Sequence, residues 1–274
     1  MSKTWFITGA AGGFGRLWAE AALERGDRVI ATARSAERLA DFAERFGTAV
    51  VTVELDVTDR EGVFAAVERG LRAFGRIDVV VNNAGYGQFG MVEEVTEREL
   101  REQMETNFFG ATWVTQAVLP VFRRQRSGHL LQVTSEGGVR AYPGIGAYHA
   151  SKWALEGLSE SLAQEVAVFG IHVTCIEPGP YATQWLSHGS RVSDELPEYA
   201  EARAANTVEF EVGDPAATSA AVLALVDTEH PPLRLILGLT FPEIEALYEE
   251  RLATWRAWEP VAREAFGAPR IAPA

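Results

Sequence analysis

The first twenty-five residues restrict the fold more than any other stretch. An apolar run at 4–8 leads directly into Thr8-Gly9-Ala10-Ala11-Gly12-Gly13-Phe14-Gly15, and a helical pattern continues to about Arg25. Strand, glycine turn and helix in that order aim backbone N–H groups and a helix N-terminus at a phosphate. The glycines let the backbone come close to a pyrophosphate and let the helix pack on the strand. The spacing is Gly-x-x-x-Gly-x-Gly, and no Gly-Lys-Ser/Thr occurs, so the turn is not a P-loop.

The rest of the chain repeats the alternation. Further strands read at 28–33, 49–55, 78–81, 129–134, 171–176 and 233–237. Helices read between them at 36–46, 59–74, 100–122, 147–169 and 214–227, where Asp214 precedes Pro215 at the first helical position. Such alternation predicts one doubly wound, Rossmann-type α/β domain. Its parallel sheet has about seven strands, with helices on both faces. Ligands of such sheets bind at the carboxyl ends of the strands. Arg34 stands at the end of the second strand, where an NAD site usually has an acid. An arginine there suits a 2′-phosphate by charge and by bidentate geometry, so the cofactor expected is NADP(H), with NAD(H) as the alternative.

In the helix expected at 147–169, Tyr148 and Lys152 lie four residues apart, one turn along the same face. Free tyrosine titrates near ~10, too high for proton transfer at neutral pH, and a fixed ammonium beside the phenol lowers that value. The pair reads either as an acid/base device or as a harmless pair on an exposed helix face. His149, next to Tyr148, points elsewhere on the helix and reads as structural. Asn107 lies inside a helical stretch where a polar side chain needs a reason.

Charge and cysteine usage exclude other classes. The net charge of −13 argues against nucleic acid and anionic membranes as partners. No apolar run is long enough to span a bilayer. Cys175 is the one cysteine and reads as a buried strand residue; with no disulfide within the chain and no leader before the first strand, a cytoplasmic protein is expected. One cysteine and five scattered histidines build no zinc site, and no Gly-x-Ser-x-Gly elbow occurs.

The motifs taken together resemble the short-chain dehydrogenase/reductase family over roughly residues 4–185. They are Thr8-Gly9-x-x-x-Gly13-x-Gly15, Asp56, Asn82-Asn83-Ala84-Gly85, Asn107, Ser135, Tyr148-x-x-x-Lys152 and Pro178-Gly179 with Thr183. Ser135 stands thirteen residues before Tyr148, as the family pattern requires. The run from Ser151 to Leu158 further resembles the hydroxysteroid and retinol dehydrogenase branch, a weaker likeness.

The resemblance implies roles. Gly9, Gly13 and Gly15 would shape the pyrophosphate turn, with Ala11, Gly12 and Phe14 contributing backbone. Asp56 and Val57 would hold the adenine, and Asn83, Ala84 and Gly85 would border its ribose. Pro178, Gly179, Tyr181 and Thr183 would cradle the nicotinamide, and Lys152 its ribose. Asn107, Ser135, Tyr148 and Lys152 would form the catalytic tetrad. The reaction implied interconverts a ketone or aldehyde with an alcohol. Tyr148 exchanges the proton, Lys152 lowers its pKa, Ser135 polarises the carbonyl and Asn107 holds a relay water. A non-catalytic NADP(H)-binding sensor is the rival reading, and four intact tetrad residues speak against it.

Residues 1–240 form the expected catalytic domain, with a substrate-covering loop at about 181–210. Trp185, Leu186 and His188, with Val139 and Tyr142, are the candidate pocket residues and suggest an apolar small-molecule substrate. Residues 241–266 read as a helical extension of the same domain, and 267–274 as a flexible tail. A homodimer or homotetramer is expected from the family resemblance and the apolar stripe after Tyr148.

Overall fold

Short apolar runs without period-two alternation belong at the centre of a parallel sheet, covered on both faces. The computed structural model, which describes residues 2–186, 189–206 and 211–268, places them there. Seven strands make the main sheet: β1 (Thr4–Ile7), β2 (Arg28–Ala33), β3 (Val50–Glu54), β4 (Val79–Asn82), β6 (Gly128–Val133), β7 (Ile171–Pro178) and β9 (Arg234–Leu237). Their order is β3-β2-β1-β4-β6-β7-β9, all parallel. The winding reverses between β1 and β4, where Trp5, Phe6 and Ile7 pair with Val79, Val80 and Val81. A crevice for a ligand opens beyond the carboxyl ends at such a reversal.

Alternate residues of each strand feed two cores. Trp5 and Ile7 enter one core with Trp18 of α1 (Gly13–Glu24) and Val222 of α8 (Thr218–Asp227). Phe6 enters the other with Val63 of α3 (Arg60–Phe74), Val114 of α5 (Ala111–Gln125) and Leu162 of α6 (Gly146–Val166). The buried indoles find acceptors, as they must: Trp5 Nε1 donates to Asp27 at 2.8 Å and Trp18 Nε1 to Thr218 Oγ1 at 2.8 Å.

Several elements differ from expectation. The helix read at 100–122 begins earlier and is interrupted. A capping box starts α4 (Glu97–Met104): Glu99 N–H donates to Thr96 Oγ1 at 3.2 Å and Thr96 N–H returns to Glu99 at 2.9 Å. A π-helical stretch, Glu105–Gly110, then joins α4 to α5. The helix read at 36–46 opens with a 3₁₀ turn, Ala36–Leu39, before α2 (Ala40–Phe46). The loop read as irregular carries β8 (Ser190–Val192), which pairs in parallel with β5 (Gly87–Phe89), and the short α7 (Ala200–Ala205).

By its internal contacts the chain divides into two compact units, Met1–Gly238 and Leu239–Ala274. The second is built on α9 (Phe241–Phe266), which spans the stretch read as helical, with Pro242 in its first turn. His188 and the tail from 269 lie outside the described residues. No helix among the described residues is long and apolar enough to cross a membrane.

Candidate active site

The crevice is lined first by the glycine turn between β1 and α1. Gly9 has φ +67°, a conformation L side chains rarely adopt. Gly15 allows close packing: a Cβ there would stand 2.4 Å from Asn83 Nδ2 and 2.6 Å from the Gly9 carbonyl oxygen. Thr8 and Asn83 clasp the turn to the end of β4. Thr8 Oγ1 accepts from the N–H groups of Asn83 and Ala84, both at 3.0 Å, and Asn83 Nδ2 donates to the Thr8 carbonyl at 2.9 Å. The Asn83 side chain therefore holds the turn in shape. Helix α1 has no side-chain cap and no acid in its first turn, so nothing of its own competes with an anion there. The turn fits a pyrophosphate: Cβ atoms would crowd its inner side, and its outer side at Gly13 meets only Thr183 Cβ at 4.0 Å.

Arg34 is exposed just past the end of β2. Sequence reasoning passed over a second cation, Arg38, whose Nη2 lies 3.9 Å from where a Cβ on Gly12 would be. Its position in the first turn after β2, four residues beyond Arg34, was the available signal. Asp56 accepts from Thr58 N–H at 3.0 Å and from its hydroxyl at 2.8 Å, and Val57 packs against Gly110.

Across the crevice, β7 ends at Pro178, and Gly179 N–H donates to the Leu237 carbonyl at 2.8 Å. Tyr181 packs edge-on to Phe14, 5.3 Å between centroids. Gln184 reaches over the turn, its Oε1 3.2 Å from a Cβ placed on Gly12. The segment after β7 thus closes on the turn before α1.

Ser135 follows β6, and its Oγ accepts from Gly137 N–H at 3.0 Å. Helix α6 brings Tyr148 and Lys152 to the same place, and both are buried. Burial pushes the Tyr148 phenol up to about 12; a hydrogen bond with Ser135 works against that, and the Glu136 charge adds to it. Lys152 Nζ lies 5.7 Å from the Tyr148 ring centroid and donates to the Val133 carbonyl at 2.7 Å. Burial pushes its ammonium down to about 8, opposed by Glu156 one turn on. One N–H of that ammonium is aimed at a carbonyl of β6 rather than at the phenol.

Asn107 sits in the π-helical stretch, a feature frequent at functional sites. Its Oδ1 accepts from Tyr86 N–H at 3.1 Å, and its Nδ2 donates to Tyr86 O at 2.9 Å and to Ser151 Oγ at 3.1 Å. A Cβ on Gly85 would stand 3.1 Å from Asn107 Oδ1 and 3.7 Å from Lys152 Nζ, so Gly85 leaves room between the two.

Of the candidate pocket residues, Trp185 packs against Tyr148. The Trp185 ring lies 5.2 Å from that of Tyr148 and 5.7 Å from Phe89. Val139 is buried, and Tyr142 donates its hydroxyl to Glu136 Oε1 at 2.9 Å. His149 Nδ1 donates to Gly137 O at 2.8 Å, and its Nε2 accepts from Tyr142 N–H at 2.9 Å. It pins the 137–142 loop to α6, a structural task, and stays neutral because burial lowers its pKa. Glu136 itself was missed in the sequence.

A family model described as short chain dehydrogenase matches residues 3–194. An oxidoreductase of Botryotinia fuckeliana is 45% identical over 249 residues, covering 87% of this chain and 89% of that one. A solved short-chain dehydrogenase from Streptomyces avermitilis superposes with a TM-score of 0.90 at 42% identity, covering 96% and 99%. A solved alcohol dehydrogenase from Thermococcus sibiricus, complexed with 5-hydroxy-NADP, gives 0.74 at 29% identity, covering 86% and 96%. Neither the family match nor these relatives single out the hydroxysteroid or retinol branch.

Proposed function

The chain belongs to the short-chain dehydrogenase family, and on that premise we propose that it is an NADP(H)-dependent oxidoreductase interconverting a ketone or aldehyde with an alcohol. The observation that carries the reading is the meeting of Ser135, Tyr148 and Lys152 at the carboxyl end of β6, across from a glycine turn that fits a pyrophosphate. The dinucleotide would lie along that turn and under Pro178, Gly179, Tyr181 and Thr183, near Asp56, Val57, Ala84 and Gly85. When bound, it supplies or accepts the hydride. The nicotinamide dinucleotide of the Thermococcus relative supports the cofactor class.

The chain's own residues would manage the oxygen and its proton. Ser135 donates to the substrate oxygen as negative charge gathers there. Tyr148 gives the oxygen its proton in reduction and takes it in oxidation. Lys152 supplies the positive charge that opposes burial of a phenolate. Asn107, across the space left by Gly85, holds a water through which that proton is replaced. Trp185 must leave the Tyr148 ring for a carbonyl to reach the phenol, and in turning aside it offers an apolar wall, which favours apolar substrates. Arg34 and Arg38 would select the 2′-phosphate.

The test is turnover of a panel of ketones, aldehydes and alcohols with each cofactor. Reduction of apolar ketones with NADPH is expected. Tight NADP(H) binding with no turnover across the panel would favour the sensor reading instead. The protein would act as a homodimer or homotetramer in the cytoplasm. Sedimentation as a monomer at micromolar concentration would remove the assembly part.

A further inference from the structure

Glu136 has a buried oxygen that nothing among the described residues satisfies. Its Oε1 accepts the Tyr142 hydroxyl, but its Oε2 is shut off from solvent and has no partner among them. The charge is felt on three sides: Glu136 raises the pKa of Tyr142, Tyr148 and His149. None of these neighbours can serve Oε2. The Tyr142 proton is already given to Oε1, and no hydrogen bond joins the Tyr148 hydroxyl to Oε2. His149 donates its one ring proton to Gly137. Arg140 stands over the Tyr142 ring at 4.5 Å, and no salt bridge among the described residues includes Glu136. A buried carboxylate oxygen without a donor is costly, and such groups are seldom left unpaired without a use.

We infer that Glu136 is a specificity-determining residue, and that the site takes ketones bearing an ammonium group on a carbon next to the carbonyl. The inference rests on the oxidoreductase reading above and names its substrate class. Ser135 would hold the carbonyl oxygen, and Glu136 is the next residue in the chain, so a donor close to that carbonyl is the one in reach. A cation answers both needs, supplying the missing donor and neutralising the charge in one charge-assisted bond. It would also remove the charge that raises the Tyr148 phenol, so a matching substrate eases the proton step.

The test uses three ligands differing at one position: aminomethyl decyl ketone, hydroxymethyl decyl ketone and methyl decyl ketone. Each is titrated calorimetrically into the protein saturated with NADP⁺, which leaves the ketone unreduced. A pH of ~6.5 lies below the ordinary range of an α-amino group. The amine is expected to bind about tenfold to a hundredfold more tightly than the methyl ketone, the scale of a hydrogen bond to a charged group. Glu136→Gln should bring that ratio to within about threefold. Equal affinities in the unmutated protein overturn the inference without recourse to a variant, as does a ratio that survives Glu136→Gln. A hydroxymethyl ketone binding as tightly as the amine would overturn the assignment of a cation. An intact ratio with no NADPH oxidation on any of the three would count against the oxidoreductase reading and not against Glu136.

Discussion

Lys152 donates to the carbonyl of Val133 at 2.7 Å, two residues before Ser135. That bond ties α6 to the end of β6 and sets the Tyr148 helix against the strand that carries the serine. Lys152→Ala removes both the tie and the charge. Turnover is expected to fall by at least ~10²-fold, and the NADP(H) dissociation constant to rise. Lys152→Met, of similar length but uncharged, should restore stability and not turnover. Denaturation midpoints and rates on one ketone separate the two.

Tyr148→Phe keeps the ring that Trp185 packs on and removes the hydroxyl. Turnover should fall about 10²–10⁴-fold, the usual scale for losing a general acid. Cofactor affinity, measured by quenching or calorimetry, should hardly move. Full turnover by this variant would rule out the phenol as proton donor.

Arg34 and Arg38 make a paired test. Each replaced by alanine should weaken NADP(H) binding by about tenfold to a hundredfold and leave NAD(H) unchanged. The pair of changes should erase the preference. Equal dissociation constants for the two cofactors in the unmutated protein would make both arginines ordinary surface residues.

Local chemistry explains what the sequence made legible. Glycine spacing announced the turn before α1, and apolar runs announced β1 and β4, because parallel strands are covered on both faces. The Tyr148–Lys152 pair could be read because helix geometry alone puts the two on one face. What escaped depends on distant partners. β5 and β8 are three residues each and lie about a hundred residues apart in the chain, too short for a pattern and joined only by folding. The π-helical stretch at Asn107 arises where its amide is caught between Tyr86 and Ser151. Arg38 and Glu136 sit in ordinary polar surroundings in the sequence. Only the fold turns one toward Gly12 and leaves an oxygen of the other without a donor.

Trp185 covers Tyr148, packs on Phe89 and stands against Gly87. Trp185→Ala should open the space over the phenol. KM for bulky ketones is expected to fall relative to small ones, while apolar ketones should lose affinity overall as the aromatic wall goes. Unchanged KM values across a size series would show that Trp185 does not face the substrate.

Glu177 lies at the end of β7, one residue before Pro178, and is buried beside Glu156. Arg234 serves both, at 3.1 Å from Glu156 and 3.5 Å from Glu177, yet one oxygen of each acid has no hydrogen-bond donor among the described residues. Burial, and then the Glu156 charge, push the Glu177 carboxyl up to about 8. A carboxyl raised in this way binds its proton more tightly folded than unfolded. Between the ordinary glutamate value and about 8, the folded chain holds the proton and the unfolded chain does not. Stability from this group is therefore complete at low pH and is lost as pH rises through that window. Denaturant unfolding followed from about pH 5 to about pH 8.5 should show a decline on the order of a few kcal/mol. Glu177→Gln, which mimics the protonated acid, should flatten the decline, leaving the variant the more stable of the two at the upper end. The same slope in both proteins would show that Glu177 is ionised throughout and fully served by Arg234.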